Sequence, residues 1–82
     1  AAALYREYMQ GCRETLGDRH PHTLTSINNL GALLFALGEL DEAESAFIEA
    51  IEGCREVLGE DHPKTHKAEK WLTKVRQTKA KA

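Results

Sequence analysis

Gly11-Cys12-Arg13-Glu14-Thr15-Leu16-Gly17-Asp18-Arg19-His20-Pro21 returns 42 positions later as Gly53-Cys54-Arg55-Glu56-Val57-Leu58-Gly59-Glu60-Asp61-His62-Pro63. Self-similarity at such a period marks a stacked array of supersecondary units, each unable to cover its own apolar faces. It also reassigns the conspicuous Cys, His and Gly residues. Each occurs twice because the unit occurs twice, so architecture explains them before chemistry does.

The spacing outside this stretch is helical throughout. Ala43, Ala46, Phe47, Ala50, Ile51, Cys54, Val57 and Leu58 fall at i, i+3, i+4, i+7 spacing and predict a helix over about 41–58. Asp41 and Glu44 form a capping-box-like pair at its start, and Gly59 stands where a left-handed stop is expected. A second helix is predicted over about 21–37. Pro21 suits its first position, where no intrahelical N–H is needed, and Gly38 ends it. Its stripe is Leu24, Ile27, Leu30, Leu34 and Leu37. The short Gly38-Glu39-Leu40 link forces an antiparallel hairpin. Residues 1–16 repeat the pattern of 41–58, and 63–79 repeat that of 21–37. The chain 1–82 therefore reads as a single all-α domain of four antiparallel helices: half a repeat, one whole repeat, and half a repeat.

Composition agrees. Of 82 residues, 41% are hydrophobic and 29% charged, a globular balance able to bury roughly 60–65% of the unfolded surface. The net charge of -2 is unevenly spread. Residues 1–66 carry twelve acidic and five basic side chains, while 67–82 carry six basic and one acidic. No apolar run approaches the roughly 18 residues that cross a bilayer, so no membrane partner is expected. Cys12 and Cys54 occupy equivalent points on successive repeats, roughly 10 Å apart by helix packing. A disulfide needs α-carbons within about 7 Å, so both are expected as buried thiols, in keeping with a cytoplasmic setting. The missing initiator Met leads to the expectation of an excised or engineered fragment.

Ile27, Leu30, Gly31 and Leu34, then Ala43, Phe47 and Ala50, follow the large-large-small-large and small-aromatic-small order of the tetratricopeptide repeat. The hairpin from His20 to Gly59 resembles that family. The phrases NNLGALL (28–34) and LGEDHPKT (58–65) are similar to its long form, seen in kinesin light chain-like proteins. The resemblance implies a right-handed α-solenoid fragment whose first helices line a concave groove. It further implies a non-catalytic scaffold for protein or peptide partners, without a cofactor. Groove asparagines of the family hold peptide backbone, and groove cations hold acidic groups. On that pattern Asn28 is the candidate backbone clamp, with Asn29 leaning toward the preceding helix. Ala32 and Phe35 are further groove positions, and Lys67, Lys70 and Lys74 are the candidate contacts to an acidic partner.

The two ends differ from the middle. In the last helix Ala68, Trp71, Leu72 and Val75 make one narrow stripe. Glu69 and Arg76 replace Ile27 and Leu34, a polar finish typical of a terminal cap. Its basic run reads either as a solvated cap beside the acidic 41–60 segment or as an acid-binding patch. In the first helix Ala1, Tyr5 and Tyr8 take the places of Ala43, Phe47 and Ala50, the face that meets a repeat's own first helix. Either these rings fold back over the stripe, or a second copy covers Leu4, Tyr5 and Tyr8 as a homodimer.

Catalysis and metal binding fit poorly. His20-x-His22 and His62-x-x-x-His66 have ligand-like spacing, but no third ligand completes a set. His20 and His62 precede the helix-opening prolines, so capping explains them. No Gly-rich phosphate loop exists, and Gly11 and Gly53 are expected to permit close helix contact. A nucleic-acid module would interleave basic residues with exposed aromatics, which this chain does not do.

Overall fold

The computed structural model describes residues 2–81. Helix α1 runs Ala2–Leu16, α2 Pro21–Ala36, α3 Leu40–Val57 and α4 Pro63–Lys81. The placement of Ala1 beside Tyr5 and Tyr8 lies outside the described residues. The other sequence boundaries hold within one residue, except that α4 continues two residues beyond 79.

The helix starts and stops follow local chemistry. The Nδ1 of His20 accepts the backbone N–H of His22, and that of His62 accepts the N–H of Lys64, both at 3.1 Å. These rings therefore satisfy amides that a helix start leaves unpaired. Gly38 and Gly59 adopt φ of 82° and 98°, a region where a Cβ is strained. Pairing of Asp41 with Glu44 as a capping box does not form. The α3 N-cap is Glu39, without a side-chain cap bond. Both carboxylates are instead drawn across to Lys79 of α4, at 2.7 and 3.1 Å.

Each helix packs on the next, α1 on α2, α2 on α3 and α3 on α4, and α2 also touches α4. The result is a slab of 37 × 31 × 14 Å, the shape of a short piece of repeat array. Phe47 is fully buried, which stabilises by about 1.5–3 kcal/mol relative to exposure. Its ring lies where a Cβ on Gly31 would come within 2.8 Å, so α2 and α3 approach this closely only because Gly31 is small. Gly53 does the same for Leu24, whose Cδ2 would sit 2.3 Å from an added Cβ. Gly11 does not share that role, since nothing lies within 4 Å of its would-be Cβ.

Two stripe ends behave otherwise than periodicity predicts. Leu37 and Val57 are exposed, because each falls where its helix gives way to the glycine turn. Leu24, Ile27, Leu30 and Leu34 are buried as expected. Cys12 and Cys54 are buried and unbridged. No helix among the described residues is long and apolar enough to cross a membrane.

Candidate ligand groove

On α2, Thr25, Asn28, Ala32 and Phe35 share one face by helical spacing. The contact between α2 and α4 sets that face beside Lys67, Lys70 and Lys74. At the N-terminal end of the two helices lies a pocket of about 60 Å³. Leu24, Cys54 and Ala68 form its floor, and Thr25, Asn28, Asn29, Lys64 and Lys67 its rim.

Asn28 is the electrostatic anomaly of the rim. Its Oδ1 is buried without a hydrogen-bond partner, the single such side-chain atom among the described residues. A stranded acceptor of this kind costs about 1–3 kcal/mol. Asn29 is exposed and lines the same pocket. Burial pushes the Cys54 thiol above its ordinary pKa, partly opposed by Lys64. It therefore serves as a small neutral floor.

Lys64 was not among the groove residues read from the sequence. Its Nζ donates to Thr25 Oγ1 at 3.2 Å, tying the two rims together. The signal was available: Lys64 is the second residue of α4, one turn before Lys67, on the edge facing Thr25.

Phe35 and Lys74 form a second cluster further along. Phe35 is half-buried, not a ring standing on a solvated face. It meets Trp71 edge-on at 5.8 Å, and Trp71 stacks on Phe47 at 5.6 Å with planes 7° apart. Lys74 Nζ lies 5.2 Å from the Trp71 ring and 5.5 Å from that of Phe35, close enough for cation–π attraction. Ala32 is half-buried and packs into the neighbouring core. The residues predicted as one row thus fall into an Asn28/Asn29/Lys67 pocket and a Phe35/Lys74 cluster, with Lys70 exposed between them.

The basic run of α4 divides in the same way. Arg76 and Lys79 are engaged by Glu44 and Asp41 of α3. Lys64, Lys67, Lys70 and Lys74 make no ion pair among the described residues, which leaves the groove rim cationic. The internal charge match accounts for one edge of α4, and an open positive surface for the other.

At the opposite end, Leu4 is 70% exposed, Tyr5 37% and Tyr8 51%. Tyr8 hydrogen-bonds His22 through its hydroxyl, and the two rings meet edge-on at 6.0 Å. The fold-back reading therefore holds only for the tip of Tyr8. Phe47 and Ala50, the counterparts of Tyr5 and Tyr8, are fully buried.

Comparison with known proteins agrees with the packing. A family model described as tetratricopeptide repeat matches residues 23–64, a span equal to one period of the internal repeat. No curated protein matches the chain.

Proposed function

This chain belongs to the tetratricopeptide repeat family, whose members mediate protein–protein interactions, and from that premise we propose that its α2/α4 groove holds an extended acidic peptide. The observation that carries this reading is the buried Asn28 Oδ1 without a donor. A peptide backbone N–H entering the pocket, with the Asn28 side chain turned toward it, would satisfy it. Lys64, Lys67 and Lys70 then attract carboxylates of the same peptide, and Lys74 does so over the Trp71 ring. Chemistry of this kind needs no cofactor and leaves the module a non-catalytic scaffold. The 42-residue period supports the long repeat form resembling kinesin light chains. Buried unbridged thiols support a reducing, cytoplasmic setting.

The groove is short, so affinity for a free peptide is modest. The test is a library of extended peptides rich in Asp and Glu, screened by Trp71 fluorescence. Binders should weaken about tenfold with Asn28→Ala, as expected for one buried hydrogen bond. Lys67→Ala and Lys70→Ala should weaken them in a salt-dependent way. Binders indifferent to all three substitutions would remove the groove from consideration.

A second reading rests on a different observation, the exposure of Leu4, Tyr5 and Tyr8. Self-association through α1 would cover that face, and the groove substitutions would leave it unchanged.

A further inference from the structure

Two surface grooves of this molecule are copies of each other, displaced by one repeat. The first is lined on one side by Arg6, Met9, Gln10, Leu30 and Leu34, and receives α3 through Glu42, Ala46 and Glu49. Adding 42 to the first five gives Ile48, Ile51, Glu52, Leu72 and Arg76, all of which line the second groove, between α3 and α4. The second is lined by α3 and α4 only, and among the described residues no helix forms its third wall.

The helix that fits such a groove is the counterpart of α3, and α1 is that counterpart by the same shift. Leu4 corresponds to Ala46, and Glu7 to Glu49. Leu4 is 70% exposed where Ala46 is 9%. The charges match as well. Glu49 pairs with Arg13 at 2.5 Å, a contact that raises the Arg13 pKa. The counterpart of Arg13 is Arg55, beside the open groove. The counterpart of Glu49 is Glu7, exposed and without an ion pair among the described residues.

We propose that copies of this chain stack head to tail, α1 of one entering the α3/α4 groove of the next. This inference rests on the self-association reading and specifies its surface. Leu4 lies over Ile51 and Leu72, and Glu7 reaches Arg55, which already holds Glu69 at 2.7 Å. The contact is heterologous, so it propagates instead of closing at two copies. A two-fold pairing of α1 with itself is disfavoured by charge. Its Glu7 and Glu14 lie two turns apart on one edge, and an antiparallel two-fold sets that edge against itself. Thr73 occupies the position of Gly31 and keeps the Tyr5 ring from settling as deeply as Phe47 does. The stack is therefore reversible.

Sedimentation velocity from about 10 µM to about 1 mM, the range in which small interfaces populate, tests this. Wild-type mass should rise continuously with concentration. Glu7→Arg and Arg55→Glu should each weaken association about tenfold. An equimolar mixture of the two should regain it, because reversed ends attract one another. Both side chains are exposed, and circular dichroism of each variant verifies that the helices remain. A wild type that stays monomeric overturns this proposal and the self-association reading together. Association that survives both reversals overturns head-to-tail stacking alone and returns the contact to α1 against α1.

Discussion

Gly11 and Gly53 are the same residue of the repeat, yet replacing each by alanine should move stability in opposite directions. An alanine at 53 places its Cβ 2.3 Å from Leu24 Cδ2 and 3.3 Å from Arg19 Cδ. Carbon atoms rest at about 3.5–4.0 Å, so Leu24 must retreat by more than an ångström. It cannot do so freely, being 1% exposed within the core. Overpacking of this kind costs about 1–3 kcal/mol, against about 1 kcal/mol regained from alanine's better helix propensity. The net expectation is a loss of up to roughly 2 kcal/mol. At Gly11 an added Cβ meets nothing within 4 Å, so only the propensity gain of about 0.5–1 kcal/mol remains. For a domain of this size each kcal/mol moves Tm by about 4–8 °C. Thermal and urea unfolding followed by circular dichroism, in dilute protein, should show Gly11→Ala melting higher than wild type and Gly53→Ala lower. Shifts of the same sign would refute the reasoning: two losses would mean that α1 presses its glycine face on something as α3 does, and two gains that Leu24 gives way without cost.

Four further outcomes are expected. Asn28→Ala should hold or raise Tm, because it removes a stranded acceptor and improves helix propensity; a clear drop would mean that Asn28 serves the fold. Lys79 lowers the carboxyl pKa values of Asp41 and Glu44 through hydrogen bonds and charge, and its own is raised in return. The carboxylate contribution is therefore full above their ordinary values near 4 and fades as pH falls through the lower folded values. The ammonium contribution is full below its ordinary value near 10 and fades as pH rises through the higher folded value. Acid and alkaline titrations of Tm should flatten in Lys79→Ala. Trp71→Ala should cost about 2–3 kcal/mol in urea unfolding, since it removes the stack on Phe47 and the shelf under Lys74. Cys54 should alkylate far more slowly in native protein than in urea, as burial both shields the thiol and raises its pKa; mass spectrometry reads the ratio.

The order of four helices, their hairpin pairing and the buried cysteines were legible in the amino acids alone. The reason is that these properties are local or periodic. A 3.6-residue stripe, a proline at a helix start and a glycine beyond its end act within one or two turns. Asn28 stood out by its place in the repeat. Its stranded oxygen did not, because burial depends on Lys64, Lys67 and Ala68 arriving from the other helix.

What tertiary structure alone decided are contacts between side chains 35 to 39 residues apart, such as Lys79 with Glu44 and Lys64 with Thr25. Those contacts drew Asp41 and Glu44 away from a capping box. Tertiary packing also set Phe35 edge-on to Trp71 and split one row of lysines into a paired edge and an open rim. The repeat's own identity in sequence told where a helix belongs. Only packing told which faces of Gly11 and Gly53 had a neighbour, because identical residues acquire different roles when one meets packed side chains and the other meets none among the described residues.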